Sequence, residues 1–279
     1  MTPDTPLDLT RAQVLAFRRL AGALDRRLPP GPDSLRRAAW AGLQDSMPRA
    51  ALLSIHARVE GTRPSTWEDP SLVQLWGPRH SVYTVAARDL ALFSIGIHPD
   101  DEKGRRRAED GAARLQAGLG ATRMNHAEAA RVLGVHRGAI QYAATTGTVL
   151  IRWDGARRPT VWSVPPPEAD PRNARLELAR RYLHVCGPAT TAAFGWWSGL
   201  GARPAAAVFE TLAEELTPVR TPVGEAWILA ADEPAFRAAP GPAAPARLLP
   251  SGDAFLLFQG SDRELLVPEA GRRQALWTP

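Results

Sequence analysis

Asn125-His126-Ala127-Glu128-Ala129-Ala130-Arg131-Val132-Leu133-Gly134-Val135 reads as one helix with both ends marked. Asn125 and Glu128, three residues apart, form a capping box for the free N–H groups of the first turn, and Gly134 stops the last. A second helix is expected over residues 136–146, ended by Gly147. Two apolar stretches follow, Val149-Leu150-Ile151-Arg152-Trp153 and Pro159-Thr160-Val161-Trp162-Ser163-Val164, around Asp154-Gly155-Ala156-Arg157-Arg158. Helix, short turn with Gly, second helix and hairpin make the winged helix-turn-helix pattern. The wing tip carries Arg157 and Arg158, where a phosphate backbone can lie, and Arg137 opens the second helix. These three are candidate DNA contacts.

The same order of elements recurs on both sides. Toward the N-terminus, helices expected over 9–24, 34–44 and 48–59 precede strands at 71–76 and 81–85 around Gly77-Pro78-Arg79-His80. Toward the C-terminus, helices over 172–185, from 190 through Trp196-Trp197, and over 203–215 precede strands at 216–220 and 225–229. Breaks fall at Leu28-Pro29-Pro30-Gly31-Pro32, Pro165-Pro166-Pro167 and Pro240-Gly241-Pro242, and consecutive prolines do not lie inside a helix. The expected fold is mainly α with small β-hairpins (α+β). Three tandem winged helix-turn-helix units are expected, at 1–99, 100–167 and 168–239. After them, Arg247-Leu248-Leu249-Pro250 and Ala254-Phe255-Leu256-Leu257-Phe258 look like β-structure, expected as a partial β-barrel segment over 240–279.

Charge narrows the partner. The net charge of +5 divides as +3 over residues 1–99, +4 over 100–167 and −2 over 168–279. Positive charge on the first two units favours a polyanion there. One cysteine, Cys186, excludes an intrachain disulfide and clustered zinc sites. No run of about 18 uncharged apolar residues marks a membrane span, and Met1-Thr2-Pro3-Asp4 lacks the signal-peptide pattern. A soluble cytoplasmic protein is expected. P-loop, Ser/His/Asp and dinucleotide fingerprints are missing, so NTPase, triad-hydrolase and Rossmann classes lapse.

Ala41-Gly42-Leu43-Gln44-Asp45-Ser46 sets an amide, a carboxylate and a hydroxyl side by side at the junction of two expected apolar helices. Such groups are either caps or a site. As caps, Asp45 or Ser46 suits the N-terminus of the helix that includes Pro48. As a site, Gln44 offers a carbonyl and two N–H donors to orient water. Asp45 then offers a base or electrostatic stabiliser, and Ser46 a hydrogen bond only. The tip Gly77-Pro78-Arg79-His80 reads as a wedge or phosphate contact, or as an ordinary solvated turn.

Five motifs occur in order: Leu9-Thr10-Arg11-Ala12-Gln13, Gly42-Leu43-Gln44, Leu72-Val73-x-x-Trp76-x-x-Arg79, Arg181-Tyr182-x-x-x-x-Gly187-Pro188-Ala189-Thr190 and Arg247-Leu248-Leu249-Pro250. On them the chain resembles the AlkZ/YcaQ-type winged-helix DNA glycosylases. The resemblance implies a C-shaped protein of three winged helices closed by a small β-barrel. It also implies excision of N7-alkylguanine lesions, interstrand crosslinks included, from double-stranded DNA without metal or cofactor. The family's barrel strands continue past the position of Pro279, so either a truncated barrel or an atypical member is expected. The family's catalytic pattern is Gln, an aliphatic residue, then Gln or Asp; here Gln44 matches, Asp45 stands in the middle and Ser46 third. On a helix that shift turns the carboxylate by about 100°. After Trp76 the family's hairpin often ends on His, where this chain has Tyr83. Gln44, Asp45 and Ser46 are the expected catalytic residues, and Trp76, Arg79, His80 and Tyr83 the hairpin's DNA contacts. A monomer acting on damaged duplex is expected, the alternative being a noncatalytic winged-helix DNA-binding protein.

Overall fold

Capping bonds written into the sequence fix several helix starts in the computed structural model, which describes residues 7–47, 49–154, 158–238, 241, 245–257 and 262–277. Strand β1 (Leu7–Asp8) leads into α1 (Arg11–Ala21), where Thr10 and Gln13 bond each other reciprocally as a capping box. There follow α2 (Pro32–Ala38), β2 (Leu43–Gln44), α3 (Ala50–Arg58), β3 (Leu72–Trp76), β4 (Val82–Ala86) and α4 (Leu90–Ser94). The middle stretch holds α5 (Glu102–Leu119), β5 (Met124–Asn125), α6 (His126–Val132), α7 (Arg137–Ala143), β6 (Val149–Arg152) and β7 (Thr160–Ser163). Asn125 accepts from the Ala127 N–H at 3.0 Å, so α6 starts where its cap predicts. Then come α8 (Pro171–Cys186), α9 (Thr191–Ser198), α10 (Ala202–Thr211), β8 (Leu216–Thr221), β9 (Gly224–Leu229), α11 (Glu233–Arg237), α12 (Arg263–Leu266) and α13 (Ala270–Trp277). The fold is a mixed α+β one. No described helix is long and apolar enough to cross a membrane.

Among the described residues two sheets organise the chain. One is six-stranded in the order β2-β4-β3-β6-β7-β5, and the antiparallel pair Gln74↔Ile151 joins β3 to β6. The hairpins expected in separate units therefore share one sheet, each covering an edge of the other that would otherwise leave N–H and C=O groups unpaired. The second sheet has the order β1-β8-β9, with β1 parallel to β8. Accordingly the apolar face of α1 (Val14, Phe17, Ala21) packs with Val219, Ile228 and Phe236, far along the chain. The largest core cluster runs from Ala41 through Tyr83, Phe93, Tyr182, Phe194 and Trp197 to Ala254, behind the edge of the first sheet.

Two expectations need correction. The helix expected over 34–44 ends at Ala38, and Gln44 is in a strand. Gly42 explains the switch: its φ is +74°, and a Cβ there would sit 2.8 Å from the Phe93 ring and 2.9 Å from Tyr83. Only glycine fits that turn. The second is the partial barrel, because the described residues of 240–279 contain no strand. Asp253 accepts from the Phe255 N–H at 2.9 Å and starts a 3-10 turn at Ala254–Leu256, and α12 and α13 complete the described tail. Docking of Ala254 and Asp253 into the interior takes up this apolar run in place of strand pairing.

Candidate functional site

Strand geometry rearranges the Gln44-Asp45-Ser46 trio. Successive side chains of an extended strand point to opposite sides, so Gln44 and Ser46 share a side and Asp45 faces the other. The helical rotation of about 100° does not apply, because Gln44 pairs with Tyr83 across β2 and β4. β2 is also the sheet's edge strand. Its two faces carry different chemistry.

On the first face, Arg79 Nη2 donates to Gln44 Oε1 at 3.1 Å, and Gln44 Nε2 donates to Ser46 Oγ at 3.3 Å. Arginine has no acceptor, so the bond fixes which end of the amide is oxygen. Arg79 is itself held. It lies at the tip between β3 and β4 with φ +55°, its Cζ stands 4.0 Å from the centre of the Trp196 ring, and a Cβ on Gly199 would be 3.1 Å from its backbone N. From the other side Gly252 packs on the Gln44 side chain, with room for a Cβ at 3.5 Å. Next to Gly252, Asp253 accepts from Arg58 Nη1 at 2.6 Å, Arg58 Nη2 at 2.7 Å and Ser54 Oγ at 2.7 Å. Both members of that ion pair are buried. Gln44 is thus half-buried and clamped, and Ser46 is exposed beside it.

On the second face Asp45 is only 4% exposed. It accepts from the Ala51 N–H at 3.0 Å, from Gln74 Nε2 at 2.5 Å and from Thr84 Oγ1 at 3.1 Å. Gln74 is fixed in turn by the Trp153 backbone, at 2.8 Å and 3.1 Å. The capping reading holds in this form: Asp45 satisfies the first turn of α3, although Arg49 occupies the N-cap position. As a catalytic group Asp45 is corrected, because the structure turns it away from Gln44 into the sheet. Burial pushes its carboxyl above the ordinary value, against the three hydrogen bonds that favour the charge. A raised folded-state value means its linkage favours folding below the unfolded pKa and loses that effect as pH rises through the folded one. Asp45→Asn leaves one acceptor oxygen for donors that two oxygens served. Urea unfolding should register a loss of about 1–3 kcal/mol, and an unchanged midpoint would refute the structural role.

The remaining candidates divide by exposure. Trp76 is 2% exposed against His126, ring centres 4.8 Å apart, and Tyr83 is 1% exposed. Both are core side chains in this structure rather than exposed DNA contacts, since β3 and β4 are interior strands of the sheet. Burial pushes the Tyr83 phenol up to about 12, so it stays neutral. The tip is no free wedge either: Pro78 is buried, Arg79 holds Gln44, and His80 stacks on Tyr142 at 4.8 Å. Burial also lowers the His80 pKa. Arg137 and Arg158 are exposed, and Arg157 lies outside the described residues. Sequence reasoning missed Trp196, Gly252 and the Arg58–Asp253 pair. Ser251-Gly252-Asp253 directly follows the Arg247–Pro250 motif, yet a single sequence does not mark that carboxylate as buried. No group of three or more His, Cys, Asp or Glu able to hold a metal occurs among the described residues.

Comparison with known proteins places this geometry. A sequence model of the family described as "DNA glycosylase AlkZ-like" matches residues 37–279. Among solved structures, the Streptomyces sahachiroi DNA glycosylase AlkZ is similar, with a TM-score of 0.74 at 19% identity over 96% of this chain and 82% of that one. At that identity the likeness is one of fold. No curated protein sequence matches the chain significantly.

Proposed function

The chain belongs to the AlkZ-like DNA glycosylase family, and on that premise we propose that it is a monofunctional glycosylase for N7-alkylguanine and crosslinked bases in duplex DNA. Hydrolysis of the glycosidic bond passes through an oxocarbenium-like sugar attacked by water at C1′. An N7-alkylated guanine already carries positive charge, so it leaves with the bonding electron pair and needs no strong general acid. What remains is to hold the water.

The clamped Gln44 amide is the observation that carries this reading. Its Oε1 is engaged by Arg79 through one lone pair and one Nε2 N–H by Ser46, which leaves the second lone pair and the other N–H for a water beside Ser46. Neither Gln44 nor Ser46 is basic enough to keep the proton of the attacking water, so that proton passes to solvent. The same reading takes 1–99, 100–167 and 168–239 as winged-helix units that bring a helix and a hairpin to a duplex. Arg137 and Arg158, both exposed, supply phosphate contacts. The protein acts as a cytoplasmic monomer on damaged duplex, without metal or cofactor.

A second reading rests on Asp45. With its carboxylate facing away and Ser46 in the third position, the scaffold can bind DNA without cutting the glycosidic bond. Release of N7-methylguanine from a modified duplex separates the two. Release above the spontaneous rate supports the enzyme; background release with DNA binding intact leaves the noncatalytic protein.

A further inference from the structure

A second cluster lies outside the Gln44 machinery. Arg152 places its Cζ 3.6 Å from the centre of the Trp67 ring, and Arg49 stands 5.6 Å from the same ring. Close by, Arg123 lies 4.3 Å from the Trp162 ring. The register Leu150↔Trp162 and Arg152↔Thr160 puts Arg152 and Trp162 on one face of the β6–β7 hairpin. Arg49 and Arg123 are exposed, while Trp67, Trp162 and Arg152 are half-buried.

Glu68 and Asp45 hold Arg152 only loosely. Facing Arg152 are Glu68, whose carboxylate is 4.0 Å away and 62% exposed, Asp154, and Asp45, whose oxygens already serve three other donors. Burial lowers the Arg152 pKa despite those acids. A guanidinium partly stripped of water, whose ion pair with Glu68 is long and solvent-exposed, gains from an incoming anion. Arg152 Nη1 donates to the Trp67 carbonyl at 3.3 Å, and stacking on the indole fixes the guanidinium plane and leaves its remaining edge N–H groups to meet phosphate oxygens.

The position fits the substrate. Arg49 follows Ser46 by three residues, so at most about 11 Å of chain separates them. Measured along the duplex axis, that is the rise of roughly three phosphates of one strand. We propose that Arg49, Trp67 and Arg152, with Arg123 beside them, grip the backbone phosphates next to the nucleotide presented to Gln44. The inference rests on DNA as the partner and leaves open whether the glycosidic bond is cut.

Binding to an undamaged duplex across a salt series tests it independently of excision. The slope of log K against log salt reports the phosphates neutralised. Arg49→Gln and Arg152→Gln should each reduce the magnitude of the slope by about 0.9, and the double variant by about 1.8. Arg220→Gln, in the other sheet, should leave it unchanged. Arg49 is exposed at its N-cap position, so its variant reports the grip even where Arg152→Gln disturbs folding. A steep wild-type slope that Arg49→Gln and the double variant leave unaltered overturns the grip while DNA binding stands. A flat wild-type slope overturns DNA binding and the grip together.

Discussion

Replacing Gln44 with Ala lowers single-turnover release of N7-methylguanine from duplex DNA by about 100- to 1,000-fold, the usual cost of removing one preorganised polar group from a transition state. The amide is the one polar group of the trio that is both held in place and turned toward solvent. Arg79 and Gly252 fix it from two sides, so little reorganisation is left for the moment of attack. Alanine removes the water's partner and also frees the Arg79 guanidinium. Affinity for undamaged duplex should stay at the wild-type value, because the phosphate contacts proposed above are arginines elsewhere. Release within about threefold of wild type, with binding intact, sinks Gln44 as the water-orienting group.

Asp253→Ala should destabilise the fold by about 3–5 kcal/mol, because it leaves Arg58 buried and uncompensated. Arg58 and Asp253 are 2% and 0% exposed at their side chains. A loss of that size corresponds to a fall in Tm on the order of 10 °C. Arg58→Met combined with Asp253→Leu should recover most of it, since apolar groups of similar volume carry no desolvation cost. If the double variant is as unstable as the single one, the ion pair is not the source of the loss.

The same pair sets a pH dependence. Burial alone raises the Asp253 carboxyl, but the Arg58 charge and the bonds from Arg58, Ser54 and Phe255 outweigh it and hold the pKa below the ordinary value. A depressed folded value contributes stability that is present above the unfolded pKa of about 3.9 and is lost as pH falls through the folded one. Wild-type stability should therefore drop in acid more steeply than that of Asp253→Ala, a comparison that urea melts at two pH values make directly.

Much of the architecture was legible because its signals are local. The cap at Asn125, the stop at Gly147 and the alternation on both sides of 154–158 act within a few residues, and α6, α7, β6 and β7 follow them. Gly42 was equally visible, but its meaning was not. Whether a glycine ends a helix or turns into a strand depends here on Phe93 and Tyr83, which crowd the missing Cβ from distant positions. That turn decides the face on which every following side chain lies.

The sequence by itself determined the helix and hairpin order, the family, and Gln44 as the residue that matches the family's motif. Only the tertiary structure decided that Asp45 belongs to Gln74, Thr84 and α3, that Tyr83 and Trp76 are core, and that Asp253 anchors the segment against Gln44. The physical reason is range. Caps and alternation are settled between near neighbours, whereas Asp45 meets a partner 29 residues away and Asp253 one 195 residues away. Such carboxylates have the same identity in the sequence whether they face water or an arginine, and only closure of the chain chooses between the two.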